Sequence, residues 1–398
     1  LRLYVLAVAL PLTWLLGGYA LSLLGIEQEF LPAFNMLLLQ APFLVLLNFV
    51  VVLLRVTFSR NKYIFLSVGF SFTQAVCWLT AIFLFDASVR GILFAGLLAS
   101  VVFAGIGIYY IRGWLKLTPR LHYVLQMLHY TLPYGAISAL RRIVPLIERS
   151  LVALLLATDA LGLYAAGAKI TMLFGLFAFA FQSAWEPFAL SIGKRPDAQA
   201  TYNLILKILV LLSCLLVLAL SSMAKPMIIF LASEKYVGAA VIVFPLLMAM
   251  AIESISWITE IGLILQRRTG LKLAAYILGT LATVLSMLAF APAFGLLGVS
   301  VAVLLGSIVR TVVLTVMASR VYDLRWDTAS FVIIVPLTLL GGAIMTYVDH
   351  EVGLTASLGT FAAVTILLLT LAYAVVLSPD EQQKLKTAAQ RLGASRRF

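Results

Sequence analysis

Twelve apolar runs of about 18 to 26 residues follow one another along the chain. An α-helix needs a run of that length to cross a ~30 Å hydrocarbon core at 1.5 Å per residue. The runs cover 3–24, 33–55, 62–85, 90–112, 131–156, 161–186, 203–223, 238–265, 271–291, 296–319, 330–348 and 354–377. A membrane β-barrel would instead show segments of about ten residues with alternating polarity. The expected fold class is therefore an all-α polytopic membrane protein. Of the 398 residues, 63% are hydrophobic and 11% charged, at a mean hydropathy of +1.10, which excludes a water-soluble globule.

A net charge of +12 invites a nucleic-acid reading, but the basic residues cluster in short loops between spans, where topology accounts for them. One set of loops carries Arg55, Arg60 and Lys62; Arg112, Lys116 and Arg120; Lys194 and Arg195; Arg267, Arg268 and Lys272; and Arg320 and Arg325. The alternate loops hold Glu27, Glu29, Asp86, Asp159, Glu234, Asp349 and Glu351, with only Arg90, Lys225 and Lys235 on the basic side. By the positive-inside rule, Arg2 and the C-terminal tail lie in the cytoplasm.

Shifting the chain by 207 residues lays 91–102 on 298–309 with six of twelve positions identical, Gly91/Gly298 and Ser100/Ser307 among them. Many transporters are built from such repeats. On this reading 1–112 is an incomplete N-terminal lobe of four spans, 131–320 a C-terminal lobe of six, and 330–377 two extra spans. The offset leaves the fifth and sixth spans without a partner, so about two helices are expected upstream of Leu1. The stretch 113–130, with Lys116 and Arg120 among Trp114, Leu117 and Tyr123, reads as a cytoplasmic interfacial linker. It serves either as a hinge for rocking lobes or as a tether. The tail 378–398 is polar and basic and is expected to lie near anionic lipid. Cys77 and Cys214 sit inside apolar runs as packing residues. His122, His129 and His350 have no metal-site or triad spacing, so no metal and no catalytic residue is expected.

Charge within the membrane requires an explanation. An ionised side chain at mid-helix costs about 2.5–3.5 kcal/mol on the insertion scale. The fifth span carries Arg141, Arg142, Glu148 and Arg149 around Pro145. At about 100° per residue these four share one helix face, and none lies three or four residues from an opposite charge, so their partners are on other helices. Pro145 should kink the helix at that face. Other spans add Lys169, Arg310, and Glu253 and Glu260, seven residues apart on one face. Five cations then face three anions, while Glu186 and Lys207 lie nearer the interface and are left out of the count. Either the set forms interhelical ion pairs that order the bundle, or its surplus positive charge receives a phosphate-bearing ligand.

Three stretches of the sequence resemble a known family. They are Leu132-Pro133-Tyr134; 148–169, which opens on Glu148-Arg149, passes through Gly162-Leu163-Tyr164 and ends at Lys169; and Phe181-Gln182-Ser183-Ala184-Trp185-Glu186-Pro187-Phe188. The chain resembles the Wzx-type O-antigen and exopolysaccharide flippases of the multidrug/oligosaccharidyl-lipid/polysaccharide (MOP) superfamily. In that family the acidic residue before the Gly-x-Tyr turn is usually Asp, and here it is Glu148. The resemblance implies a MATE-like fold with twelve or fourteen helices in two lobes around a cationic cavity. It also implies residence in the bacterial inner membrane and movement of undecaprenyl-pyrophosphate-linked oligosaccharide between leaflets by alternating access.

The expected site is then Arg141, Arg142, Arg149, Lys169 and Arg310 on the pyrophosphate, with Glu148, Glu253 and Glu260 as charge partners or as coupling sites for H+ or Na+. No other cofactor is implied. The partners implied are the lipid-linked oligosaccharide, membrane lipids, and a polysaccharide polymerase or chain-length protein, with no nucleic acid. A polar path lowers the desolvation barrier without covalent chemistry, so the protein is expected not to be an enzyme. Two alternatives stand beside this reading. A cation-coupled drug antiporter of the same superfamily should present a net acidic interior. A membrane glycosyltransferase or polymerase should carry a large extramembrane loop, and the longest here is the 18 residues of 113–130.

Overall fold

A computed structural model describes residues 31–84, 89–114, 121–156, 158–193, 195–322, 326–327, 329–351 and 354–376. The expected span 3–24 and the tail 378–398 lie outside the described residues. The described residues are helical and contain no strand. The helices are α1 (Leu31–Val56), α2 (Arg60–Leu84), α3 (Val89–Ile111), α4 (Leu121–Leu156), α5 (Thr158–Ile192), α6 (Ala198–Ser222), the short α7 (Ala224–Leu231), α8 (Ala240–Thr259), α9 (Ile261–Leu265), α10 (Thr269–Val321), α11 (Ala329–Glu351) and α12 (Leu354–Leu371). Nine of the described helical stretches are long and apolar enough to cross a membrane. The fold is the all-α, polytopic membrane architecture expected from the apolar runs.

Local chemistry explains where the runs and the helices differ. α4 begins at Leu121, ten residues before the apolar run does, because helical hydrogen bonding does not need an apolar sequence. The expected spans 271–291 and 296–319 are joined in α10 across a sharp reversal at Gly295, at φ 58° and ψ −138°. That backbone region is nearly closed to residues with a Cβ. The expected span 238–265 is interrupted at Glu260, which separates α8 from α9.

The chain divides into two compact units, 1–129 and 130–398. In the first, α1 and α2 both pack on α3, around Leu47, Val50, Leu54, Leu66, Phe103 and Ile111. In the second, α8 is the hub and packs against α5, α6 and α10, while α11 and α12 pair with each other and lie against α6. Most of α8 is buried, because its sequence is apolar on every side. Hydrogen bonds tie it to its neighbours. Trp185 Nε1 donates to the Trp257 carbonyl at 2.9 Å, Thr311 Oγ1 to the Ile252 carbonyl at 3.1 Å, and Thr315 Oγ1 to Thr259 Oγ1 at 2.8 Å.

Gly295→Ala should lower the melting temperature of the detergent-solubilised chain, by about 1–3 kcal/mol of stability, because alanine cannot relax at that φ. Gly270 has open space around it and an ordinary φ, so Gly270→Ala should leave the melting temperature unchanged or slightly higher. A melt in which both variants behave alike would contradict this assignment.

Candidate functional site

Because α8 runs through the middle of the second unit, any charge on it must be neutralised from a neighbouring helix. Glu253 is bridged from both sides. Arg141 Nη2 of α4 lies 3.0 Å from Oε1, and Arg310 Nη2 of α10 lies 2.7 Å from Oε2. The Tyr276 ring lies beside both guanidinium groups, with centroid distances of 5.5 Å to Arg141 and 5.2 Å to Arg310. Cation–π contact adds to the attraction of the carboxylate in such a desolvated setting. Arg310 also donates to Ser307 Oγ at 3.4 Å, and its Nε is buried with no hydrogen-bond partner.

These groups open onto a cavity of about 410 Å³ enclosed by α4, α5, α8 and α10. Arg141, Glu148, Arg149, Glu253 and Arg310 line it, so three guanidinium groups face two carboxyls. Pro145 lies in the same wall, between the two charged pairs of α4. Glu148 accepts a hydrogen bond from Tyr164 Oη of α5 at 2.9 Å. Arg149 is exposed and has no ion-pair partner among the described residues. The hydroxyls of Thr171, Thr280 and Thr283 add neutral polar groups to the lining.

The structure divides the candidate residues. It brings Arg141, Arg149, Arg310, Glu148 and Glu253 to one cavity. It does not bring Arg142 or Lys169 there; both are exposed and line no part of it. Glu260 is also elsewhere, paired with Lys272 at 2.7 Å, with both residues buried. The single pool of five cations and three anions is thereby corrected. Glu253 bridges two of the cations, and Glu260 is held by a lysine that the sequence reading placed in a loop. Lys207, expected near water, is buried and lies 2.7 Å from Asp327 Oδ2.

Sequence reasoning gave no site role to Tyr276, to Tyr164 of the Gly-x-Tyr turn or to Lys272. An isolated tyrosine in an apolar run carries no signal of a cationic neighbour. Lys272 could have been found: it lies three residues inside α10, within a turn of the apolar run. A Lys272→Met variant should destabilise the chain by about 3–5 kcal/mol, because the buried Glu260 carboxylate loses its counterion. Adding Glu260→Gln should restore most of that loss in the same thermal melt. An unrestored double variant would show that the pair does not act as a unit. Among the described residues no cluster of His, Cys, Asp and Glu could hold a metal ion.

The fold is similar to that of solved membrane transporters. Over 82% of this chain and 77% of the other, it matches a mutant of the Vibrio cholerae MATE transporter VcmN with a TM-score of 0.70 at 17% identity. The bent form of the same transporter matches over 81% of this chain and 78% of the other, with a TM-score of 0.68 at 17% identity. The lipid II flippase MurJ, in an inward closed conformation, matches over 94% of this chain and 82% of its own, with a TM-score of 0.63 at 14% identity. No family model matches the chain, and no curated protein does. At these identities the likeness is one of fold, and it is the MATE-like fold that the sequence resemblance implied.

Proposed function

We propose that the chain is a flippase of the MOP superfamily that moves a lipid-linked, pyrophosphate-bearing oligosaccharide across the bacterial inner membrane by alternating access. One observation carries the reading: three guanidinium groups line one cavity inside an apolar bundle, and Arg149 among them has no carboxylate partner in the described residues. A guanidinium is weakly hydrated and matches phosphate oxygens in a two-point contact, so it suits a diphosphate leaving water. Arg149 would make the first contact. Arg141 and Arg310 would follow as the diphosphate competes with Glu253 for their donors. The prenyl tail would stay in lipid. The likeness in fold to a lipid II flippase supports the same class of cargo.

The lobes at 1–112 and 131–320, the linker at 113–130 and the cytoplasmic termini belong to this proposal, on the strength of the repeat and the loop charges. H+ or Na+ at Glu148 is the proposed coupling device, since that carboxyl accepts a tyrosine hydroxyl and makes no ion pair among the described residues. A polysaccharide polymerase or chain-length protein remains the proposed partner.

The half-buried Glu148, which makes no ion pair among the described residues, and the likeness to MATE transporters favour a second reading, export of an organic cation. Proteoliposomes separate the two. Under the first reading, Arg149→Ala should lower flipping of a fluorescent prenyl-pyrophosphate-linked sugar at least tenfold without changing the melting temperature. Arg268→Gln, in the turn before α10, should have no effect. Ethidium efflux that survives Arg149→Ala and is lost in Glu148→Gln, with no flipping of the lipid-linked sugar, would establish the second reading.

A further inference from the structure

The first unit gathers positive charge at one end. The turn at 57–59 that joins α1 to α2 is tight: Phe58 N–H donates to the Arg55 carbonyl at 3.1 Å and Ser59 N–H to the Leu54 carbonyl at 3.0 Å, with Phe58 at φ 54°. Arg55, in the last turn of α1, and Arg60 and Lys62, in the first turn of α2, therefore stand at the same end. α3 finishes beside them and runs on into Arg112, since Lys62 Nζ lies 5.6 Å from the Tyr110 ring centroid. In the sequence between Glu29 and Glu148 the single acidic residue is Asp86, which follows the other end of α2. None of these four cations makes an ion pair among the described residues.

Aromatic rings hold these cations in place of carboxylates. Arg55 lies 5.3 Å from the Tyr63 ring centroid and Arg112 4.4 Å from that of Tyr109, while Tyr109 and Tyr110 are themselves neighbours at 6.2 Å. Three helix ends thus form one basic and aromatic band. Cation–π contact attracts the charge but supplies no oxygen acceptor to its N–H groups. Arg55 shows the shortfall: its Nη2 has a 3.5 Å contact with Tyr63 Oη, and its Nε is buried with no partner. Around the band, Phe58 is 69% and Trp114 55% exposed. Ile64, Phe65, Val68 and Phe72 leave an apolar strip exposed along α2, starting next to Lys62. Exposed aromatic residues where a basic helix end meets an apolar strip mark the headgroup level of a bilayer.

We infer that this band is a binding site for the phosphate of an anionic phospholipid, whose acyl chains lie along the exposed strip of α2. Four cations without a carboxylate fix the sign of the ligand. The guanidinium groups of Arg55 and Arg112 suit phosphate oxygens through charge-assisted hydrogen bonds, and Lys62 adds a point charge. A soluble anion gains nothing from Phe58, Trp114 or the α2 strip, whereas a lipid covers all three. By the loop charges, the site faces the cytoplasmic leaflet. The membrane then supplies the counter-charge that this stretch of sequence omits. The site lies wholly within the first unit and stands independently of the flippase reading.

Trp114, two residues beyond Arg112, reports on the site. Its fluorescence is the difference between the full chain and Trp114→Phe, measured in mixed micelles with phosphatidylglycerol or phosphatidylcholine brominated on the acyl chains, which quench a tryptophan they touch. Phosphatidylglycerol should quench Trp114 at a concentration at least fivefold lower than phosphatidylcholine, and added salt should narrow the difference. Lys62→Gln/Arg112→Gln, at two exposed positions whose change does not threaten the fold, should reduce that preference below twofold. Arg268→Gln/Arg320→Gln, which removes the same charge from exposed positions of the second unit, should leave it intact. Equal quenching by both lipids, or quenching by neither, overturns the site. So does an equal loss of preference in the two double variants, the mark of diffuse attraction to a charged surface. Two competitors complete the test at constant ionic strength. Relief of the phosphatidylglycerol quenching by an equimolar amount of inorganic phosphate assigns the band to a free anion, and relief by a tenth as much farnesyl pyrophosphate assigns it to a pyrophosphate cargo. Either result overturns the phospholipid assignment.

Discussion

A single carboxylate shared by two guanidinium groups makes the interior of the second unit possible. Glu253 sits on the most buried helix of the unit and is reached by Arg141 from α4 and Arg310 from α10. An ionised group in a medium of low dielectric is tolerable only with a close counterion and good hydrogen bonds. The bridge therefore fixes the mutual placement of three helices. It also keeps two cations inside the bundle, which apolar packing alone would expel. Tyr276 reinforces the arrangement by presenting its ring to both guanidinium groups.

A bridge of this kind can be exchanged as well as maintained. A carboxylate held between two guanidinium groups occupies a place that a phosphate could take, so an incoming diphosphate can compete for the same donors. The unpaired buried Nε of Arg310 shows that the bridge leaves hydrogen-bonding capacity unused. Arg149, on the cavity wall and without a carboxylate of its own among the described residues, supplies charge that is not committed to the fold.

The Lys272–Glu260 pair differs in its setting. Both residues are buried, the lysine lies 5.0 Å from the Tyr134 ring centroid, and the pair closes the turn at which α8 gives way to α9 and α10. It belongs to the wall of a smaller cavity whose charges balance. The two cavities share Arg141 and differ in electrostatics, one having surplus positive charge and the other balanced charges and aromatic walls.

The helical class and nearly all the membrane spans among the described residues were legible in the sequence, because the length of an apolar run is set by bilayer thickness and needs no tertiary information. The residues worth watching were legible for a related reason: a charge inside such a run is costly enough to be conspicuous, as with Arg141, Glu253 and Arg310. Partnership was not legible. A charge on one helix does not specify which neighbouring helix will supply its counterion: Glu253 went to Arg141 of α4 and Arg310 of α10, and Glu260, seven residues on, to Lys272 of α10. Only packing around α8 decided that Arg149 would line the cavity while Arg142 and Lys169 would not. Ionic contact reaches a few ångströms, and which side chains come within that reach depends on helix rotation and on the break at Gly295, neither of which is set by hydrophobic periodicity.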